Sequence, residues 1–192
     1  MKKYVLQKVI GFDEWHLHSL HMRFYALPLI RKLNGLIEEN NLINGKIIEV
    51  GCGLGDILCE IKWKDRIGYD LDSKAIIAAK ILHPFMRFEV GSFSDIKGER
   101  ISVIMALNFL HTLDDCSLDS NMKKLLINNE VDRVIVDQIE KAEDLSLDEY
   151  AYIHNYQEYF DHLEYELEYE SKSYPASGMA RRRILYFRKR TR

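Results

Sequence analysis

The sequence predicts an α/β fold in which a seven-stranded, mostly parallel sheet carries helices on both faces and ends in an antiparallel hairpin. Strand-like and helix-like apolar patterns alternate through the middle of the chain. Two period-2 segments joined by a turn with Pro and Gly then close it. The predicted strands are 46–50, 66–70, 86–90, 101–107, 131–138, 165–171 and 183–188. The predicted helices are 56–61, 74–82 and about 146–160.

The first predicted strand runs directly into a glycine-rich turn. The strand contains Ile47, Ile48 and Val50, whose β-branched side chains favour an extended backbone. Three glycines at alternate positions follow, and glycine lets the backbone bend sharply and approach a ligand closely. Residues 56–61 have helical apolar spacing, so the turn leads into a helix N-terminus with free N–H groups. The segment is typical of a nucleotide-binding turn.

The spacing of these glycines argues against a dinucleotide. The fingerprint G-x-G-x-x-G needs its third glycine at the place that Asp56 occupies, and a carboxylate there would repel a pyrophosphate. From Glu49 to Gly55 the chain reads E-x-G-x-G-x-G, which resembles motif I of the class I S-adenosylmethionine-dependent methyltransferases. The resemblance covers roughly residues 45–190. It implies a Rossmann-like fold, S-adenosylmethionine as cofactor and S-adenosylhomocysteine (SAH) as product.

The resemblance also implies a set of cofactor-binding residues at the ends of the strands. Asp70 ends the second strand about twenty residues after the first glycine, where a carboxylate can accept from both ribose hydroxyls. At Ser92 the family usually has an Asp that accepts from the adenine amino group. Adenine is therefore expected to contact Ser92, Phe93 and backbone groups, or alternatively Asp95. Phe93 alternatively belongs to the core. The expected set is Glu49, Gly51, Cys52, Gly53, Gly55, Asp70, Leu71, Ser92, Phe93 and Leu107.

The end of the fourth strand carries the candidate catalytic residue, His111, with Asn108 as a candidate acceptor contact. An imidazole has a pKa near neutrality and could remove the proton of a hydroxyl acceptor as the methyl group transfers. An amine, thiolate or carboxylate acceptor would need only alignment with the sulfonium. The alternative is a histidine that merely packs at the strand end. Asp114, Asp115 and Asp137 are candidate orienting partners for His111.

Residues 1–44 are predicted to form a helical cover over the cofactor. The segment 13–25 concentrates histidine and aromatic side chains, and on a helix His18 and His21 would share one face. The candidate acceptor-facing residues are Trp15, His18, His21, Arg23 and Tyr25. Arg23 could instead pair with the cofactor's carboxylate, and others could be docking contacts. No third ligand with matched spacing accompanies the two histidines, so no metal site is predicted.

Composition sets the expected organisation. The 192 residues, 47% of them hydrophobic, can bury one good core, so we expect a single domain, 1–192, with 45–192 as the catalytic core. No membrane span or signal peptide is expected, and three cysteines without metal spacing suit a reducing cytoplasm. A net charge of −3 gives no general attraction to nucleic acid, so nucleic acid is not expected as a partner. The basic C-terminal strand is expected to protect a sheet edge.

These observations predict a cytoplasmic methyltransferase that acts on a small molecule by in-line methyl transfer. Analogy with compact family members suggests a hydroxyl of a sugar or surface-glycan precursor as the acceptor. The alternatives are methylation of RNA or protein, and a non-catalytic partner subunit that keeps the fold. A dehydrogenase is a further, weaker alternative. The sequence leaves the acceptor atom, the need for a base and the choice between monomer and homodimer open.

Overall fold

A mixed β-sheet organises the structure, a computed structural model that describes residues 2–140, 150–176 and 180–190. In these residues the strands are β1 Lys46–Val50, β2 Arg66–Asp70, β3 Arg87–Val90, β4 Arg100–Ala106, β5 Glu130–Glu140, β6 Tyr165–Glu170, β7 Tyr174–Pro175 and β8 Arg181–Lys189. The helices are α1 Lys2–Ile10, α2 Ala26–Glu38, α3 Asp56–Cys59, α4 Ser73–Leu82, α5 Asp115–Asn128 and α6 Tyr156–His162. Short 3-10 turns lie at Glu14–Leu17, Phe93–Asp95 and Leu110–Thr112.

The strand order is β3-β2-β1-β4-β5-β8-β6, with β7 beside β8. Strands β1 to β5 are parallel, whereas β8 runs antiparallel to both β5 and β6. The predicted mostly parallel sheet with antiparallel C-terminal strands is therefore confirmed. The order reverses between β1 and β4, and the crevice outside the carboxyl ends of two such strands is where open α/β sheets bind ligands.

The alternation of side chains along the strands builds a core on each face of the sheet. Ile47 and Met105 pack on one face with apolar residues of α2, α3 and α4. Their neighbours in sequence, Ile48 and Ile104, pack on the opposite face with residues of α5 and α6. Because successive side chains of a strand point to opposite faces, near-continuous apolar strands fill both layers. The predicted helices on both faces are confirmed.

The prediction that the basic C-terminal strand protects a sheet edge is wrong, because β8 lies between β5 and β6. Its arginines meet carboxylates of the neighbouring strands. Arg183 is 2.5 Å from Glu140 of β5 and 2.6 Å from Glu170 of β6. Arg188 lies 3.9 Å from Glu168 of β6. These two arginines of β8 are thus paired inside the sheet with acidic residues of the strands that flank it.

The segments around the C-terminal hairpin also differ from the prediction. An eighth strand, β7, pairs Tyr174 and Pro175 with the start of β8, so part of the expected turn is strand. Of the predicted helix at about 146–160, residues 146–149 lie outside the described residues, and the described helix begins only at Tyr156. Asn155 caps it by accepting from the Glu158 N–H at 3.3 Å.

The predicted cover contains helices α1 and α2, but residues 18–25 between them form turns rather than a helix. Backbone bonds from Met22 to Ser19 and from Arg23 to Leu20 close these turns. His18 and His21 are both exposed and share no helix face, so that expectation is wrong. Among the described residues, no helix has the length and apolar character needed to cross a bilayer.

Candidate functional site

Three adjoining cavities open at the carboxyl ends of the parallel strands. The first cavity, about 370 Å³, lies over the ends of β1, β2 and β4. The central cavity, about 20 Å³, lies against the glycine turn after β1. The outer cavity, about 380 Å³, lies between the cover and the C-terminal part of the chain. Trp15 of the cover and Asn108 after β4 line all three, so the cavities adjoin one another at these two side chains.

The glycine turn forms a wall of the first two cavities. Gly51 lines both, whereas Gly53 and the buried Cys52 line the central cavity alone. Gly53 has a φ of +52°, and a Cβ there would lie 2.7 Å from Nδ1 of His16. The missing side chain therefore lets the cover pack directly onto the turn.

The last glycine of the motif has a different place. Gly55 does not line any of the three cavities formed by the described residues. Its φ is +75°, it precedes the first residue of α3, and a Cβ there would lie 2.4 Å from the ring of the buried Phe88. In this structure Gly55 allows close packing of the turn against β3 rather than forming part of a cavity wall.

Gly55→Ala is expected to lower the free energy of unfolding by about 2 kcal/mol more than Gly98→Ala does, because the new methyl group overpacks the core at Phe88. Gly98 is a matched control, since its φ is +69° but a Cβ there would meet nothing within 4 Å. Urea unfolding of the two variants measures the difference. Equal losses of stability would mean that the contact with Phe88 relaxes without cost.

Asp70 lies at the end of β2 on the first cavity. Its Oδ2 accepts from the backbone N–H of Gly53 at 2.7 Å, and its Oδ1 accepts from that of Asp72 at 2.9 Å. A carboxylate has about four lone-pair sites, so both oxygens can still accept from a ligand. Leu71 lines the same cavity and is 76% exposed, which leaves an apolar surface for a ring to cover.

The far wall of the first cavity contains Ser92 and Phe93. Phe93 is buried, lies 5.9 Å, ring centre to ring centre, from Phe109, and belongs to the core as well as lining the cavity. Asp95 reaches back to accept from the backbone N–H of Ser92 at 2.8 Å and does not line the cavity. Leu107 is buried and lines the first and central cavities.

Glu49 is buried at the central cavity, and burial raises its pKa to about 8 against the opposing effect of Arg23. Its Oε2 has no hydrogen-bond partner among the described residues. Asp56 does not line any of the three cavities formed by the described residues, and it accepts from Lys3 at 2.5 Å and from Arg23 at 2.9 Å. We name this cluster of Asp56, Lys3 and Arg23 the cover clamp; it joins α1 and the turns before α2 to the start of α3. Glycine spacing, and not the Asp56 charge, therefore disfavours a pyrophosphate.

His111 does not line any of the three cavities within the described part of the chain. Its ring lies 4.9 Å from that of Tyr150, and burial lowers the pKa of His111 although Asp137 opposes this. The expected orienting partners have other contacts. Asp115 lies 2.8 Å from Nδ1 of His154, and Asp114 accepts from the backbone of Ser117 at the start of α5.

The third of these acids, Asp137, holds the backbone of Asn108, the residue that borders all three cavities. Its Oδ1 accepts from the backbone N–H of Asn108 at 2.7 Å, and Asn108 has a φ of +64°. Its Oδ2 lies 3.0 Å from Nη1 of Arg182, a buried residue of β8 that lines the outer cavity. Arg182 in turn lies over the ring of Tyr25, 4.9 Å from its centre.

The structure brings four of the five predicted cover residues to the outer cavity. Trp15, His18, Arg23 and Tyr25 line it, whereas His21 lines none of the three cavities in the described chain. Burial raises the pKa of Tyr25 to about 12. Within residues 2–140, 150–176 and 180–190, no three His, Cys, Asp or Glu side chains are grouped to hold a metal ion.

No protein-family model matches the sequence, and no curated protein matches it significantly. Solved structures resemble the fold. Magnesium protoporphyrin IX methyltransferase (ChlM) from Synechocystis PCC 6803, solved with bound SAH, is 13% identical with a TM-score of 0.69, over 98% of this chain and 94% of that chain. An S-adenosylmethionine-dependent methyltransferase from Clostridium acetobutylicum is 13% identical at 0.62, over 83% and 92%. A TehB-like methyltransferase from Corynebacterium glutamicum is 22% identical at 0.52, over 82% and 86%.

The fold is that of the class I methyltransferases. Within this methyltransferase fold, sequence reasoning missed two side chains that shape the site. His16 packs on Gly53 and lines the first and central cavities, and its position inside the histidine-rich segment was its only signal. Arg182 is one of several arginines in β8, and the sequence pattern does not show which of them lines a cavity.

Proposed function

We propose that the protein is an S-adenosylmethionine-dependent methyltransferase that acts on a small molecule. The observation that carries this proposal is a pair of adjoining cavities. The cavity bounded by the glycine turn and Asp70 shares Trp15 and Asn108 with a second cavity of similar volume. Cofactor and acceptor could therefore bind side by side, as transfer of a methyl group requires. We also propose 45–192 as the catalytic core of one domain and 1–44 as its cover.

The residues present fit the cofactor. Asp70 would accept from the ribose hydroxyls, and Leu71, Ser92, Phe93 and Leu107 would surround the adenine end of the ligand. Cys52 and the glycine turn would lie beside its middle. The orphaned Oε2 of Glu49 and the guanidinium of Arg23 at the central cavity supply an acceptor and a cation for an amino-acid end. When bound, S-adenosylmethionine supplies an electrophilic methyl group.

The side chains of the protein would contribute alignment and exclusion of water. Trp15 and Asn108 separate the two larger cavities and would hold the acceptor against the methyl group. His111 lies behind Tyr150, which lines the outer cavity, so direct proton removal by its imidazole is not the role that this geometry favours. The sugar hydroxyl suggested by analogy stays a prediction. The paired arginines of β8 give no support to an RNA acceptor.

Calorimetric titration of the purified protein tests the proposal. We expect saturable binding of S-adenosylmethionine and of SAH, and no saturable binding of NAD, because the glycine spacing does not suit a pyrophosphate. Binding of NAD without either adenosyl ligand would contradict the proposal. Failure of all three ligands to bind would also contradict it.

A further inference from the structure

We propose that the outer cavity binds an acceptor whose ring carries a carboxylate, with Arg182 as the residue that recognises the anion. The inference rests on the proposed function and deepens it. It names the class of acceptor, which neither the fold nor the resemblance fixes.

The lining of the outer cavity combines aromatic rings with positive charge. Trp15, Phe24, Tyr25 and Tyr150 supply rings, while Arg23 and Arg182 supply guanidinium groups. None of the described residues that line this cavity is an Asp or a Glu. Aromatic walls suit the flat or apolar face of a ring, and arginine is well matched to a carboxylate. The volume, about 380 Å³, lies within the range of small-ligand sites.

Arg182 carries the proposal because it is buried with hydrogen-bonding capacity left over. Its side chain is 6% exposed. Its Nε has no hydrogen-bond partner among the described residues, and its Nη1, although 3.0 Å from Asp137, is not aligned for a hydrogen bond. Buried N–H groups of a guanidinium without partners are costly. An anionic ligand in the cavity would satisfy them after a small shift of the side chain.

The charge around a second arginine of this cavity favours an anion as well. Arg23 lines it, and Arg23 shares the Asp56 carboxylate with Lys3, so two positive charges meet one negative charge at the cover clamp. Glu49 offsets the remaining positive charge less than an exposed glutamate would, because burial raises its pKa to about 8. A carboxylate between Arg23 and Arg182 would bring the region closer to neutrality.

The test compares acids with their amides on the wild-type protein saturated with SAH. Two pairs cover two sources of a ring carboxylate: 4-hydroxybenzoate against 4-hydroxybenzamide, and D-glucuronate against D-glucuronamide. We expect at least one acid to bind about tenfold more tightly than its amide. The pair that shows the preference tells an aromatic acid from a sugar acid. If neither acid binds more tightly than its amide while SAH binds, the inference is overturned and the proposed function stands.

Variants then assign the preference to Arg182. The double variant Asp137→Asn with Arg182→Gln removes both charges of the buried pair, which avoids leaving one charge alone. The amide oxygen that replaces Oδ1 of Asp137 can still accept from the N–H of Asn108, so the variant should bind SAH and lose the preference for the acid. Arg183→Gln, on the same strand but paired outside the cavity with Glu140 and Glu170, should keep the preference. A double variant that binds SAH and still prefers the acid would overturn the role of Arg182. Loss of SAH binding by the wild type would instead contradict the proposed function.

Discussion

Asp70→Ala is expected to weaken SAH binding by about 100-fold, because each ribose hydroxyl would lose a hydrogen bond to a charged acceptor. The variant should also loosen the glycine turn, since Asp70 accepts from the N–H of Gly53 at 2.7 Å. The lost hydrogen bonds and the loosened turn would both alter the first cavity. Calorimetry with SAH measures the loss of affinity, and thermal unfolding of the ligand-free protein measures the loss of stability separately.

Two further variants separate the role in binding from the role in folding. Asp70→Asn keeps one carbonyl oxygen as an acceptor and should bind SAH with an intermediate affinity. Asp65→Ala removes an exposed carboxylate that lies 3.9 Å from Arg87, far from the cavities in the fold, and should bind SAH like the wild type. If Asp70→Ala bound SAH as tightly as Asp65→Ala, the proposed contact with ribose would be wrong.

Asp56→Ala is expected to lower the free energy of unfolding by about 3 kcal/mol, because it leaves the partly buried cations of the cover clamp without their carboxylate. Lys3 and Arg23 are only 26% and 20% exposed in their side chains, so water replaces this partner poorly. SAH affinity should fall too, since Trp15 and His16 reach the first cavity from the same cover. Urea unfolding and calorimetry measure the two effects.

The same surface variant, Asp65→Ala, serves as the matched control for the cover clamp, because exposed ion pairs contribute little to stability. Limited proteolysis adds a test that is specific for the cover. We expect earlier cleavage within residues 11–25 in Asp56→Ala than in the wild type. Unchanged stability, SAH affinity and cleavage would show that the cover is held by its apolar contacts alone.

The parts of the site that were predicted from sequence are those fixed by local pattern. The glycine turn follows the β-branched strand β1, Asp70 ends β2, and parallel strands bring their carboxyl ends to one edge of the sheet. Gly51, Gly53 and Asp70 therefore line the cavities. Gly55 belongs to the same motif, yet its position depends on Phe88 of β3, a contact that the spacing of glycines does not contain.

The parts that were not predicted depend on contacts between distant segments. A helical cover over 1–44 was expected from the resemblance, but residues 18–25 form turns that place His18 at the outer cavity and His21 away from it. Arg182 differs from Arg183 only in the face of β8 to which it points. That face could be assigned only once β8 was known to lie inside the sheet rather than at its edge.

The backbone at Asn108 could couple ligand binding in one cavity to ligand binding in another. Asn108 borders all three cavities, and Asp137 joins its N–H to the side chain of Arg182. A ligand that displaces Arg182 would disturb Asp137, which holds the backbone of Asn108 in place. A ligand in the first cavity would contact Asn108 as well. Any such coupling is reciprocal: if an acceptor raises the affinity for SAH by some factor, SAH must raise the affinity for that acceptor by the same factor.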